Sequence, residues 1–301
     1  MRKTFWLKGF VLFLVAAGIV SPVAGLAAEE KRVPVSGAEL NYIEAGEGKP
    51  VVMIHGNHSS VYIYKATIFD AVSQKYRTVA FDLPGYGKSG RTKSRMTFDE
   101  QAAVLHEAFS RLKIEKPVLV GHSMGAPVVL RYLLNYPGEV HAAVLVSPYT
   151  TPFQRIRKTY RVAQVPVIGD LFILLGIKPL QIFKKPGDLT WPAFSPEPVN
   201  EDYSEKEVDL TLRYKNFQFA ARNMYSLRNA LREMNGRYGE IKVPVIILTG
   251  DGDLIATLDE QAKPLQEKIP GSKLVILKQA GHLPFFSKGP EILKAIDEAA
   301  A

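Results

Sequence analysis

Along this chain short, continuous apolar runs alternate with longer stretches in which apolar residues recur every three to four positions. Runs of four to eight residues rich in Val, Ile and Leu, closed by Gly, Pro or Asp, predict strands; the longer amphipathic stretches predict helices. Strands are expected at about 33–35, 39–45, 51–55, 78–82, 118–121, 142–146, 245–249 and 273–277. The first two predict an antiparallel hairpin turned at Ser36-Gly37. Later runs, such as Val-Pro-Val-Ile-Ile-Leu at 243–248, are apolar on both faces, as a strand covered by helices on either side must be. The alternation therefore predicts βα units and an eight-stranded, mostly parallel sheet flanked by helices.

Between the sixth and seventh strands the rhythm stops. Residues 150–238 hold several prolines and two helical stretches but no strand pattern. That is too long for an ordinary connection, and it predicts a helical cap over the carboxyl edge of the sheet, where open α/β sheets place ligands. The expected division is a core of residues 28–149 and 239–301 with a cap at 150–238. Residues 1–27 read differently: basic Arg2, Lys3 and Lys8, an apolar run from Phe10 to Val20, then small residues ending Gly25-Leu26-Ala27. This order predicts a secretory signal peptide cleaved after Ala27, and hence export; the alternative is an uncleaved N-terminal membrane anchor.

Composition narrows the chemistry. The chain has no cysteine, which excludes disulfides and thiolate metal sites. Its formal charge of +8 falls to +5 without Arg2, Lys3 and Lys8, which is no argument for nucleic acid. No pair of its six histidines has ligand spacing with carboxylates on one face, so no metal and no cofactor is expected.

The sharpest local signal is Gly121-His122-Ser123-Met124-Gly125, with the apolar run Val118-Leu119-Val120 before it and a helical pattern from Met124 to Asn135 after it. A serine on a sharp strand-to-helix turn has an exposed hydroxyl beside a helix N-terminus, where the dipole and free N–H groups favour developing negative charge. Side chains two residues away on either side would crowd such a turn, which is why Gly121 and Gly125 flank it. Ser123 is thus the expected nucleophile.

Three further blocks stand in order around this elbow: His55-Gly56-Asn57-His58 after the third strand, Asp82-Leu83-Pro84-Gly85-Tyr86-Gly87-Lys88-Ser89 after the fourth, and Ala280-Gly281-His282 after the eighth. With them the chain resembles the α/β-hydrolase superfamily over nearly its whole length beyond residue 32, and its cap resembles those of lipase-like and monoacylglycerol-lipase-like members. The resemblance implies His282 as the catalytic base, and a carboxylate between Ser123 and His282 in the chain. The loop Gly250-Asp251-Gly252-Asp253 offers two, and the family's spacing selects Asp253, leaving Asp251 to turn the loop with Gly252. The backbone N–H groups of Asn57 and Met124 are the implied oxyanion hole. Among the other histidines, His55 is expected to support the oxyanion loop, His122 to point elsewhere, His58 to line the pocket mouth, and His106 and His141 to be surface or packing residues. Asp82 is expected to tie down its own loop. The segment from His55 to Tyr62 is also similar to haloalkane dehalogenases and epoxide hydrolases, but those families use an aspartate where this chain has Ser123.

The cap bears on substrate. Residues 153–185 carry Arg155, Arg157, Lys158, Arg161, Lys178, Lys184 and Lys185 against Asp170 alone, interleaved with apolar residues from Val165 to Ile177. Such a segment either lies on an anionic bilayer surface or packs its apolar face onto the site with its cations in solvent. Tyr214, Phe217, Phe219, Tyr225 and Leu227 in the second half are expected to be mostly core. The expected activity is hydrolysis of a small-molecule or lipid carboxylic ester with an apolar acyl chain. The same triad also serves C–C bond hydrolysis and cofactor-free perhydrolysis, and a non-catalytic binding protein would not need all three residues.

Overall fold

The computed structural model describes residues 28–301 except 91, 92, 94, 154, 155, 157, 166, 178, 180–183, 212 and 213. The signal-peptide or anchor reading of residues 1–27 lies outside the described residues, as do Arg155, Arg157, Lys178 and the side chain of Tyr214.

Eight strands form one sheet: β1 (Glu29–Val35), β2 (Ala38–Ala45), β3 (Pro50–Ile54), β4 (Arg77–Phe81), β5 (Val118–His122), β6 (Ala142–Val146), β7 (Val245–Gly250) and β8 (Lys273–Leu277). Their order is β1-β2-β4-β3-β5-β6-β7-β8. The hairpin β1–β2 is antiparallel and turns at Ser36-Gly37, β2 meets β4 antiparallel, and every later pairing is parallel. Central strands β5, β6 and β7 are buried along their whole length, which is what their unbroken apolar sequence requires. β1 begins at Glu29, earlier than its apolar pattern predicts, because residues 29–32 lie exposed on the sheet edge. Their ladder to β2 needs no buried face, and their charges guard that edge against pairing with another chain.

Helices cover both faces. Along β3, Val52 and Ile54 enter one core with α3 (Phe98–Arg111) and α4 (Gly125–Asn135), while Val51 and Met53 enter the other. The short helices α1 (Tyr62–Lys65) and α2 (Phe69–Ser73) contribute to that second core, together with the C-terminal helix described below. This is the alternation of a strand buried on both sides. The start of α3 is fixed by a capping box: Thr97 Oγ1 accepts from Glu100 N at 3.1 Å and Glu100 Oε2 accepts from Thr97 N at 2.9 Å.

After β6 comes the helical insertion: α5 (Lys158–Ala163), α6 (Ile168–Phe172) running on into a π-helical turn (Ile173–Ile177), α7 (Pro186–Phe194), α8 (Glu201–Thr211) and α9 (Tyr214–Met234). The chain then returns through β7, α10 (Lys263–Lys268), β8 and α11 (Gly289–Ala300). The insertion has a small core of its own, with Phe217 against Ala163, Ile173, Ile177 and Val208. It is fastened to the sheet layers by α9, whose Phe219, Met224, Leu227 and Leu231 join the main core. Tyr225, expected in the core, is only half-buried.

The apolar stretch between Val162 and Leu175 does not pack as a whole onto the site. Gly169 and Ile173 turn inward, but Val167, Ile168, Leu171, Leu174 and Leu175 are exposed, by 51% at Leu174 and up to 70% at Leu175. Lys158, Arg161, Lys184 and Lys185 are exposed beside them. The segment has more apolar positions than a helix of its length can bury on one face, so one side is left open to solvent.

Candidate active site

The parallel strands end on one edge of the sheet, and three loops leaving that edge meet there. Ser123 directly follows β5 with φ +51°, the left-handed conformation that a non-glycine residue adopts only when its surroundings force it. The forcing is visible at the flanking glycines. A Cβ on Gly125 would come within 2.3 Å of the Ile54 carbonyl oxygen, and one on Gly121 within 2.8 Å of Ala126 Cα. The close approach of β3, β5 and α4 that makes the turn is possible only without those side chains.

His282, in the loop after β8, places Nε2 2.8 Å from Ser123 Oγ and Nδ1 2.8 Å from Asp253 Oδ2. Asp253 Oδ1 accepts from the N–H groups of Ile255 and Ala256 at 2.7 and 2.8 Å, which fixes the carboxylate plane. An ionised carboxylate only accepts, so Nδ1 carries the imidazole proton and Nε2 accepts from the serine hydroxyl. All three side chains are buried. Burial alone would raise the Asp253 carboxyl, but His282 and the two N–H groups outweigh it and hold the group below the usual carboxylate range. Asp251 turns the other way. Its Oδ1 accepts from Gln279 N at 2.7 Å and Oδ2 lies 3.4 Å from Lys278 Nζ, so it ties the β7 loop to the turn after β8 rather than to Gly252.

The other histidines fall into structural roles. His55 Nδ1 donates to the Gly56 carbonyl at 2.7 Å and Nε2 accepts from Leu83 N at 3.0 Å, and burial lowers its pKa. It therefore joins the third-strand loop to the fourth. His122 Nε2 donates to the His282 carbonyl at 3.0 Å, bracing the His282 backbone; burial, with His282 adding to it, pushes its pKa down to about 3. His58 stands in the pocket wall with Nε2 2.7 Å from the Tyr160 hydroxyl. His106 stacks on Tyr136 and His141 approaches Lys49, both away from the site. Asp82 accepts from Val61 N, Asn41 Nδ2 and Lys88 N at 2.8 to 2.9 Å, so both carboxylate oxygens are occupied in tying its own turn to β2 and to the start of α1.

Asn57 and Met124 border Ser123, and among the described residues no acceptor takes either backbone N–H. Three supports of the site have no sequence signal. Tyr86 donates to Asn57 Oδ1 at 2.7 Å and accepts from Asn223 Nδ2 of α9 at 3.1 Å, so the insertion helps hold the loop after β3. The Ala193 carbonyl of α7 accepts from both His282 N and Leu283 N, at 2.9 and 3.1 Å. Glu197 Oε2 accepts from Gly281 N at 2.8 Å. Each joins segments distant in the chain, and no local period or motif announces such a contact.

A cavity of about 390 Å³ opens over Ser123 and His282. Phe153, Ile156, Leu189, Met224, Leu254 and Leu283 give much of it an apolar wall. Among the described residues no cluster of His, Asp and Glu could hold a metal ion.

Residues 49–167 match the family model described as the alpha/beta hydrolase fold. A solved esterase from Exiguobacterium antarcticum superposes with a TM-score of 0.73 at 21% identity, over 91% of this chain and 100% of that one. The chain has the α/β-hydrolase fold. Among curated relatives, it is 29% identical to a protein of Synechocystis sp. named as a non-heme chloroperoxidase, over 81% of this chain and 88% of that protein. It is 25% identical to the 2-hydroxy-6-oxo-6-phenylhexa-2,4-dienoate hydrolase of Comamonas testosteroni, over 86% of this chain and 90% of that protein. These similarities support the fold and do not single out monoacylglycerol-lipase-like proteins.

Proposed function

We propose that this α/β-hydrolase-fold chain is a serine hydrolase that cleaves a carboxylic ester with an apolar acyl chain through an acyl-enzyme on Ser123. The observation that carries the reading is the hydrogen-bonded line from Asp253 through His282 to Ser123 Oγ, lying under a mainly apolar wall. In this reading Ser123 Oγ attacks the ester carbonyl as His282 Nε2 takes its proton, and Asp253 stabilises the imidazolium. The N–H groups of Asn57 and Met124 receive the oxyanion. The imidazolium gives its proton to the departing alkoxide as the C–O bond breaks. Water, deprotonated by His282 in turn, then attacks the acyl-enzyme, and the imidazolium returns that proton to Ser123 Oγ as the bond to the acyl carbon breaks and the acid leaves.

The relatives named for peroxidase and C–C hydrolase activity make those chemistries the rival outcomes. A panel of esters of rising acyl length, run beside a dienoate C–C hydrolase substrate and a perhydrolysis assay, separates them, with Ser123→Ala as control. Ester turnover that peaks at medium or long chains and vanishes in Ser123→Ala is expected. Turnover of the dienoate alone, or of peroxide alone, sinks the ester reading.

We also infer that the exposed apolar face of Val167, Ile168, Leu171, Leu174 and Leu175 rests on an anionic lipid surface in an exported protein. Support comes from that exposure, from the flanking Lys158, Arg161, Lys184 and Lys185, and from the export pattern of residues 1–27. Among the described residues no helix is long and apolar enough to cross a membrane. Co-sedimentation with phosphatidylglycerol vesicles is expected to weaken in Leu171→Ser/Leu175→Ser and in high salt. Equal sedimentation of that variant, or equal binding to neutral vesicles, overturns this contact.

A further inference from the structure

The catalytic cavity does not have an apolar wall throughout. Where it passes the oxyanion loop it is lined by His58, Ser59, Tyr203 and Glu207. Glu207 belongs to α8 and is only 5% exposed, yet neither of its carboxyl oxygens has a well-aligned hydrogen-bond partner. Among the described residues no cation pairs with it; its polar neighbours are the hydroxyls of Ser59 and Tyr203, themselves 3.5 Å apart. An ionised carboxylate in such a place costs several kcal/mol, which the Ser59 and Tyr203 hydroxyls offset only in part. Burial, reinforced by the negative Asp82, accordingly pushes Glu207 up to about 8, so near neutral pH it is mostly the uncharged acid. A protonated carboxyl has one O–H to donate and an oxygen free to accept.

A purely structural glutamate would be expected to spend those groups on the protein, as Asp82 does with its three donors. Glu207 instead lines the same cavity as Ser123, approached only by the Ser59 and Tyr203 hydroxyls and with neither in a well-aligned bond. We propose that Glu207, with Ser59, forms a polar subsite of the catalytic cavity that binds an uncharged, hydroxyl-bearing part of the substrate. This rests on the ester-hydrolase reading only for the identity of the scissile bond. The preferred ester then carries an uncharged, hydroxyl-bearing group in addition to its apolar chain. A substrate with a free carboxylate at that end is disfavoured, because Asp82 already raises the cost of negative charge there.

The test uses two pairs of esters matched in length, one member ending in hydroxyl and the other in methyl. The difference lies on the acyl side in the first pair and on the alcohol side in the second; an ammonium-ended analogue is added to each. In the wild-type protein one pair is expected to favour hydroxyl over methyl by about tenfold in kcat/KM, the scale of one net hydrogen bond. Glu207→Leu is expected to abolish or invert that ratio, and Glu207→Gln to retain most of it. Equal ratios in wild type and Glu207→Leu for both pairs overturn the subsite, and a preference for the ammonium analogue overturns its uncharged character. The same three end groups on p-nitrophenyl alkylphosphonates, read as the rate of Ser123 labelling, report the subsite without any ester turnover. If labelling shows the ratio and no ester is hydrolysed, the ester reading has failed and the subsite stands. If esters are hydrolysed and neither assay shows it, the subsite has failed alone.

Discussion

The Asp253 carboxylate divides its work between its oxygens: one orients His282 and the other is held by two backbone N–H groups. Replacing it by Asn keeps the shape but favours the wrong imidazole tautomer. Asp253→Asn is expected to lower kcat by about 10⁴, the scale of that defect in serine triads. Asp251→Asn, which touches only the turn at Gln279, is expected to change kcat by less than about tenfold on the same account. Steady-state kinetics on one chromogenic ester check both, and the reverse order would move the acid. A subtler residue is Tyr86, whose hydroxyl links Asn57 to Asn223. Loss of a whole oxyanion donor costs about 10²–10³ in rate; Tyr86→Phe loosens one without removing it, so about a tenfold fall in kcat with little change in KM is expected. Ser123 was legible from five residues because its strain is local. Asp253 needed the family's spacing to be chosen over Asp251, since both carboxylates leave the same strand. Tyr86 stood in a visible turn motif, yet its two partners come from other segments and nothing in the local pattern names them.

Among the elements, the strands were the most readable and the insertion the least. β5, β6 and β7 are buried on both faces, so hydrophobicity alone marks them; β1 escapes at its charged start because an edge strand is held by its ladder. The insertion was visible as a break in rhythm, but not what it does for the site. The segment closing α7 approaches the base loop through main-chain bonds, Ala193 O to His282 N and Leu283 N, and through Glu197 to Gly281 N. The insertion is therefore a clamp on the base as well as a roof. Glu197→Ala leaves the Gly281 amide without its acceptor, a loss of about 1–2 kcal/mol for a partly buried bond, and is expected to lower kcat by about tenfold. Glu197→Gln keeps an acceptor oxygen and is expected to restore most of the rate. If Ala and Gln are equally impaired, the carboxylate's charge matters rather than its bond to Gly281.

In the molecule as a whole, two buried groups respond to pH in opposite senses, and both belong to the site rather than to the surface. His122 has an ordinary value of 6.5 and is held at about 3 by burial, with the neighbouring His282 adding to the effect. Below pH 6.5 the unfolded chain therefore takes up a proton that the folded chain refuses. The stability His122 contributes as a neutral ring is present above 6.5 and lost as pH falls toward 3. Glu207 runs the other way, from an ordinary 4.5 up to about 8 through burial and Asp82. Its contribution is fully present below 4.5 and is lost as pH rises through 8, because the unfolded chain gives up its proton first. Glu207→Gln keeps the shape and removes the titration. The stability of wild type relative to Glu207→Gln is expected to fall by about 3 kcal/mol between pH 5 and pH 8, since a proton held by the folded chain alone makes stability fall by about 1.4 kcal/mol per pH step of one. Urea unfolding of both proteins at the two pH values measures the difference directly. A constant difference would mean that Glu207 is already ionised when the protein folds, which would remove the uncharged acid on which recognition of a neutral hydroxyl depends.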